Sequence, residues 1–194
     1  MSNLIHAGKS PQISFIGKNS QELATALGRT HAPLEQAEVA VFIVSAEVGI
    51  VSADIASWQQ ARDLYIPSLV VITDLSSSDI DFEDMTAIAS KILDPVVTPY
   101  LVLHGDDGSP AALINLDSLA VIDYSSGSPV VRAADPEHVE LVAEFRTEYL
   151  EQLEATGDDS FQAGLLFPAL PWVPAVGIGV REINQYLDGI PALG

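Results

Sequence analysis

Two short, continuously apolar runs dominate the first half of the chain. Val39–Ser45 and Pro67–Thr73 are rich in Val, Ile and Leu, and each is long enough for one buried strand. Gly49 ends the first run, and Ser52 and Asp54 offer caps for a helix between the two runs. A strand, a helix and a second strand, with both strands apolar on two faces, predict a βαβ unit in a parallel sheet.

The regions on either side of this unit predict further elements. Residues 12–16 alternate between polar and apolar side chains and predict a strand that ends at Gly17. Asn19 or Ser20 is then expected to cap a short helix. A second helix is predicted after Asp81, because apolar residues recur on one side of it at helical spacing: Met85, Ile88, Ala89 and Ile92.

The second half of the chain begins with strand patterns and an Asp-Gly turn. Residues 100–103 and 112–115 predict two strands joined by a hairpin, and residues 119–124 predict a third. An amphipathic helix with a run of glutamates on its outer side is expected from Pro136, with Gly157 as its C-cap. Residues 162–174 are expected to hold a last strand and a proline-rich loop, followed by a helix to Leu187.

Together these patterns predict an α/β fold with a mostly parallel sheet flanked by helices. We expect the core to be formed by residues 1–95 and 156–194. Residues 96–155 are expected to form a small inserted subdomain, which combines a β-hairpin with the acidic helix. A chain of 194 residues is long enough to bury such a core.

Charge then narrows the classes of partner. The chain carries 27 acidic and 8 basic residues, for a net charge of −19. A surface of this kind repels phosphate backbones and anionic lipids, so we expect neither nucleic-acid binding nor membrane binding. There is no cysteine, and no apolar run approaches the length of a membrane span, so the sequence predicts a cytoplasmic, soluble protein.

Side chains with catalytic or metal-binding chemistry are sparse. The four histidines do not form a ligand pattern, so we predict no metal site among them. Asp106 and Asp107 are explained by the turn preference of Asp beside Gly better than by a cation. Gly8, Lys9 and Ser10 spell the end of a phosphate loop, but no strand can precede them and Pro11 follows directly. We therefore expect no cofactor.

Residues 41–76, which read VFIVSAEVGIVSADIASWQQARDLYIPSLVVITDLS, resemble the translational GTPases, and elongation factor G in particular. The resemblance extends over about residues 12–190 and implies a P-loop GTPase-like fold. It also implies that the nucleotide motifs are lost. Gly17–Ser20 stands at the family's Asp-Thr-Pro-Gly, Asp74 and Ser76 stand in its guanine-reading Asn-Lys-x-Asp, and the loop 168–171 replaces its Gly-Ser-Ala.

This resemblance favours a non-catalytic, elongation factor G-like pseudo-GTPase that acts through contacts with an unknown protein partner. One alternative is a translation-factor-related protein that binds nucleotide through atypical motifs. Another is an acidic regulator that mimics nucleic acid. On the leading hypothesis, the former nucleotide face is closed by its own side chains, with Trp172 near its edge, and its interaction surface is formed by Val48, Ile50, Leu170 and Trp172.

Overall fold

The computed structural model describes residues 10–157 and 159–191. Nine strands and six α-helices are formed within these residues, together with a 3₁₀ turn at Leu34–Gln36. The strands are β1 (Ile13–Gly17), β2 (Val39–Ser45), β3 (Ser68–Thr73), β4 (Val96–Val97), β5 (Tyr100–His104), β6 (Pro110–Asn115), β7 (Ala120–Asp123), β8 (Val130–Ala133) and β9 (Phe167–Pro171). The helices are α1 (Ser20–Ala26), α2 (Ser52–Asp63), α3 (Phe82–Ile92), α4 (Pro136–Leu141), α5 (Ala143–Thr156) and α6 (Val180–Asp188).

Five strands form a parallel sheet in the order β1-β2-β3-β9-β4. Every residue of β2 and β3 is buried, as their continuous apolar runs predict for strands covered on both faces. Val41 pairs with Leu69, and Phe15 pairs with Val41. The prediction of an α/β fold with a parallel sheet flanked by helices is confirmed.

Trp58 of α2 anchors one helical layer on this sheet. Its ring meets Phe42 of β2 and Phe167 of β9 edge to face, with ring centroids 4.9 and 5.1 Å apart. The indole Nε1 donates a hydrogen bond of 2.7 Å to Asp94, so its polar atom is satisfied. The side chain is only 2% exposed, which confirms a packing role for this residue.

The other four strands form an antiparallel sheet in the order β5-β6-β7-β8. The predicted hairpin of β5 and β6 is confirmed, and Asp107 Oδ1 accepts hydrogen bonds from the backbone N–H and the hydroxyl of Ser109 within its turn. β4 falls within the predicted insertion but pairs with β9 in the parallel sheet. A separate inserted subdomain at residues 96–155 stays a prediction.

One buried contact joins the two sheets. Tyr124, which follows β7, donates a 2.7 Å hydrogen bond to Glu182 Oε1 in the first turn of α6. Glu182 is fully buried, and burial raises the pKa of Tyr124, with this hydrogen bond adding to the effect. A buried carboxylate needs such a partner, so the contact fixes the position of β7 against the core.

Some helix boundaries agree with the sequence expectation and others differ. Asn19, one of the two predicted caps, holds the N-cap position of α1, whereas Val51 holds that of α2 in place of Ser52 or Asp54. Neither residue makes a side-chain hydrogen bond to its helix. By contrast, Asp81 caps α3 as predicted, by accepting from the backbone N–H of Asp84. The single helix predicted from Pro136 is interrupted at Val142, whose side chain turns into the core with 1% exposure. None of the helices in the described ranges is long and apolar enough to cross a membrane.

Candidate functional site

Loops that follow the strands of an open parallel sheet form the ligand crevice in α/β proteins. Four such loops, here called the carboxyl-end loops, follow β1, β2, β3 and β9 and comprise residues 18–19, 46–51, 74–81 and 172–179. Their sequences contain a single basic residue, Lys18. This face is therefore the first candidate site. Because Lys18 is the only basic residue in its loops, the contacts of Lys18 determine whether the face can bind an anionic ligand.

The connection from β1 to α1 is very short. A phosphate loop of the form GxxxxGK[ST] spans about eight residues, so that backbone N–H groups surround the phosphates. Here Gly17–Ser20 joins strand to helix in four. Gly17 has a φ of 111°, and a Cβ at this position would lie 2.3 Å from the carbonyl oxygen of Ile43. The start of the turn is therefore packed closely against β2 and leaves no room for a side chain at Gly17.

Of the Gly-Lys-Ser sequence at the start of the chain, only Ser10 is among the described residues. Gly8 and Lys9 lie outside the described residues. Ser10 is exposed, has no regular secondary structure and lies ahead of β1, which begins at Ile13. Ser10 is thus near the amino end of the sheet, whereas the carboxyl-end loops lie at the opposite end.

Lys18 is held by two carboxylates. Its Nζ lies 3.4 Å from Asp74 Oδ2 and 3.9 Å from Glu47 Oε2. Asp74 also accepts a hydrogen bond from the buried hydroxyl of Ser45, and Ser45 Oγ in turn accepts one from the backbone N–H of Val48. The ends of β1, β2 and β3 are therefore connected through Asp74. This network uses the charge of Lys18 internally and leaves a net negative charge at the centre of the face.

Asp74 and Ser76 occupy the region where the resemblance places guanine recognition. Asp74 has a left-handed backbone with a φ of 62°, which turns its carboxylate towards Ser45 and Lys18. Ser76 is exposed and carries no carboxylate. Neither residue presents a free carboxylate in the geometry that two guanine nitrogens would require.

A small cavity of about 220 Å³ lies between these loops. It is lined by residues 73–77 and 172–175, together with Asn19 and Glu22. Sites for drug-sized ligands usually measure about 300–1,000 Å³. None of the described residues that line this cavity is basic, and two of them, Glu22 and Asp74, are acidic. Both its size and its charge are unsuited to a nucleoside triphosphate.

The segment expected to be a proline-rich loop is in fact β9. Pro168 pairs with Val97 and Pro171 pairs with Ile72, so the segment lies between β3 and β4 within the parallel sheet. Proline normally avoids such a position because it cannot donate a ladder hydrogen bond. All five residues are nevertheless buried, including Leu170 with 0% exposure. The free energy gained by burying this apolar segment outweighs the cost of the two missing backbone N–H donors.

Trp172 is core, so its expected place near the edge of the face is wrong. Only 1% of the residue is exposed, and its backbone N–H donates to the carbonyl of Ile72. Its indole Nε1 has no hydrogen-bond partner among the described residues. Trp172 and Leu170 are therefore covered by the protein itself and offer no surface to a partner. Their apolar character in the sequence was a signal for burial.

The other two residues of the expected interaction surface lie on the loop after β2. Val48 is 59% exposed, and Ile50 is half-buried against the core of the parallel sheet. Val51, three residues after Val48, is 44% exposed. The exposed large apolar side chains of this face are therefore Val48, Val51 and, on the fourth loop, Val176. Its use as an interaction surface stays a prediction.

Gly179 closes the fourth loop. Its φ is 94°, and a Cβ there would lie 2.1 Å from the carbonyl oxygen of Pro171. Only glycine lets the chain approach β9 this closely before α6 begins. Within the described residues, no group of three or more His, Asp or Glu side chains is arranged to hold a metal ion.

The fold and this face define a class: an α/β domain with a parallel sheet, consistent with a P-loop-like domain. Comparison with known proteins gives a more specific similarity within this class. The chain is 24% identical to an elongation factor G-like protein of Mycobacterium tuberculosis, in strains CDC 1551 and H37Rv alike, over 82% of this chain and 25% of the relative. It also matches a crystal structure from Thermus thermophilus, with a TM-score of 0.72 and 25% identity, over 82% of this chain and 27% of the other.

These similarities confirm the resemblance to an elongation factor G-like domain. The chain spans about a quarter of the length of the relatives that it matches. No protein-family model matches it.

Proposed function

We propose that this chain is a non-catalytic, elongation factor G-like domain that neither binds nor hydrolyses GTP and acts in the cytoplasm through protein contacts. The observation that carries the proposal is the pairing of Lys18 with Asp74 and Glu47 at the carboxyl-end loops. A triphosphate there would meet no free cation from these loops. It would also meet two carboxylates, which together with Lys18 leave one net negative charge that repels phosphate.

The backbone supports the same conclusion independently of charge. Phosphates are held chiefly by successive N–H groups in a glycine-rich loop ahead of a helix. The connection from β1 to α1, which stands at the family's Asp-Thr-Pro-Gly and not at its phosphate loop, supplies no such series of N–H groups, and Gly17 is pressed against β2. Loss of the guanine-reading aspartate at Ser76 removes base recognition as well.

Calorimetric titration with GTP, GDP and ATP in the presence of Mg²⁺ tests the first half of the proposal. We expect no heat of binding at micromolar ligand concentrations. The double variant Glu47→Gln, Asp74→Asn separates charge from shape, because it removes both carboxylates beside Lys18. It should still bind no nucleotide, since the connection from β1 to α1 still supplies no such series of N–H groups. Micromolar binding of any of the three nucleotides by the unaltered chain would overturn the proposal.

A protein-contact role requires an exposed surface, which Val48 and Val51 supply beside the closed face. Immobilised chain, incubated with lysate of the source organism, should retain a defined set of proteins. Val48→Asp should lose at least one of them. Leu141→Asp places the same charge on a similarly exposed apolar residue of α4 and serves as the matched control. An identical set of proteins on all three baits would contradict a contact through Val48.

A further inference from the structure

A larger cavity lies away from the carboxyl-end loops. Its volume is about 480 Å³, within the range of small-molecule sites. It opens between the start of β5, the second half of α5, the segment before β9 and the end of α6. Leu166, which immediately precedes β9, and Gly189, which follows α6, both line it. The cavity therefore lies towards the amino end of β9, and nothing in the proposed function uses it.

Four aromatic rings line this aromatic cavity: Tyr100, Tyr149, Phe161 and Tyr186. They come from both halves of the molecule, since Tyr100 belongs to β5, Tyr149 to α5 and Tyr186 to α6. Phe161 and Tyr186 meet edge to face with their centroids 5.3 Å apart. This contact favours a fixed relative orientation of these two rings.

The polar groups of the aromatic cavity are acceptors or neutral. One carboxylate, Asp117, lies on its wall, and none of the described residues that line it is basic. Arg146 donates to the backbone carbonyl of Asp117 at 3.2 Å, and no ion pair joins it to the carboxylate. Arg181 is exposed and does not line the cavity, and its positive charge acts to lower the pKa of Tyr100.

Burial and nearby negative charge both act on the tyrosine hydroxyls of this cavity. Burial raises the pKa of Tyr149 to about 12, and the charge of Asp117 adds to this effect. Burial also raises the pKa of Tyr186, and electrostatic interactions with Tyr149 and Tyr100 are the next largest causes of this rise. The rings thus stay neutral at physiological pH and keep their electron-rich faces.

We propose that the aromatic cavity binds a small organic cation, specifically a methylated ammonium group. Electron-rich rings attract an ammonium ion through their quadrupoles, and quaternary ammonium recognition is a recurrent use of clustered aromatic side chains. Asp117 supplies the compensating negative charge, and the net charge of −19 favours entry of a cation over an anion. A methylated ammonium needs no hydrogen-bond acceptor, so the four rings can hold it beside the carboxylate of Asp117.

Calorimetry with choline and with its uncharged isostere 3,3-dimethylbutan-1-ol tests this assignment directly. Choline should bind in the millimolar range or tighter, at least ten-fold more strongly than the neutral compound. Equal affinity for the two would show an apolar pocket with no preference for charge, and absence of choline binding would likewise overturn the proposal.

Paired variants assign the binding to the rings and to Asp117. Tyr149→Phe keeps the ring and should change the choline affinity less than three-fold, whereas Tyr149→Leu removes the ring and should weaken it at least ten-fold. Asp117→Asn should weaken it about three- to ten-fold. Asp106→Asn, the same charge change in the distant β5–β6 turn, should leave it unchanged.

Folding of Tyr149→Leu is checked by circular dichroism. If that variant does not fold, the exposed Asp117→Asn and the conservative Tyr149→Phe still decide the matter. An Asp117→Asn effect no larger than that of Asp106→Asn would contradict a cation site at this cavity.

Discussion

The two ends of the parallel sheet differ in what they leave open. At the carboxyl end, Asp74 connects the ends of three strands, Trp172 is buried, and the remaining space is about 220 Å³. Near the amino end of β9, a space of about 480 Å³ remains between β5, α5, the segment before β9 and α6. The end at which this class of fold normally binds its ligand is thus the more completely closed of the two.

The comparison separates the fold from the function that it usually supports. The parallel strands need only apolar burial, which every residue of β2 and β3 achieves. The loops that follow them pair with one another, as Lys18 and Asp74 do here. The larger free volume is the aromatic cavity, which lies where elements of the antiparallel half pack against the core.

Truncating Trp172 should have the largest effect on the free energy of unfolding. A small effect would contradict the conclusion that the carboxyl end of the sheet is closed. Trp172→Ala empties a fully buried site at the closed end, so we expect a loss of about 3–5 kcal/mol in the free energy of unfolding. Trp172→Phe keeps most of the volume and removes the unpartnered indole N–H, so it should cost less than about 1.5 kcal/mol. Urea denaturation followed by circular dichroism measures both. A loss below about 1 kcal/mol for Trp172→Ala would place the residue at the surface.

Gly179 tests the close packing of the same end. Gly179→Ala forces a Cβ against the carbonyl of Pro171, and we expect a loss of about 3 kcal/mol. Gly177 also has a positive φ, 79°, but its Cβ would meet no atom within 4 Å. Gly177→Ala should therefore cost only about 1 kcal/mol, from conformation alone. Equal losses in the two variants would show that the loop around Gly179 can relax.

Much of this fold could be predicted from the sequence because its strongest elements are local. β2 spans Val39–Ser45 as the apolar run predicts, and Asp81 caps α3 as its position before the helix indicates. The hairpin of β5 and β6 follows from its Asp-Gly turn. In each case the neighbouring residues determine the structure, so a single sequence is sufficient.

The contacts at the closed end could not be predicted, because they depend on partners far along the chain. The prolines of β9 locally favour a loop, and only the slot between β3 and β4 makes the segment a strand. The left-handed backbone of Asp74 and its pairing with Lys18, 56 residues away, leave no local signal. The aromatic cavity likewise combines tyrosines from three separate elements, so no sequence motif marks it.

Alkaline pH should lower the free energy of unfolding through the tyrosines around the aromatic cavity. Burial raises the pKa of three tyrosines that line the aromatic cavity, Tyr100, Tyr149 and Tyr186, and that of Tyr124 beside it. An unfolded tyrosine loses its proton near pH 10, while the folded chain retains these protons to higher pH. The free energy of unfolding should thus be unaffected by these groups below about pH 10 and fall above it.

Urea denaturation at pH 8, 9.5 and 11, with tyrosinate absorbance recorded in parallel, measures this fall. Tyr149→Phe should show a shallower decline between pH 9.5 and 11 than the unaltered chain, because one of the shifted groups is gone. Tyr65→Phe, at a residue that is 73% exposed, is the matched control. Stability that does not change up to pH 11 would contradict a dry environment for these hydroxyls.

Ser45 sharpens the description of the network at the closed end. Its buried hydroxyl donates to the Asp74 carboxylate, and hydrogen bonds to charged groups contribute about 1.5–3 kcal/mol. Ser45→Ala should reduce the free energy of unfolding by that amount. Ser78→Ala removes a hydroxyl that bonds only neutral backbone groups, Ala46 and Ile80, and should cost about 1 kcal/mol. A larger loss in Ser78→Ala would show that Asp74 is not the centre of this network.

Lys18 should give the smallest effect, although it is the charge on which nucleotide binding would depend. Its side chain is 48% exposed and its carboxylate partners lie 3.4 and 3.9 Å away, so solvent and salt screen the pairs. We expect Lys18→Ala to change the free energy of unfolding by less than about 1 kcal/mol, and by less still in 0.5 M NaCl. Because the lysine serves neighbouring carboxylates and not a ligand, adding GTP should raise the melting temperature of neither the variant nor the unaltered chain. A nucleotide-dependent rise that disappears in Lys18→Ala would show instead that Lys18 leaves Asp74 and Glu47 to bind phosphate.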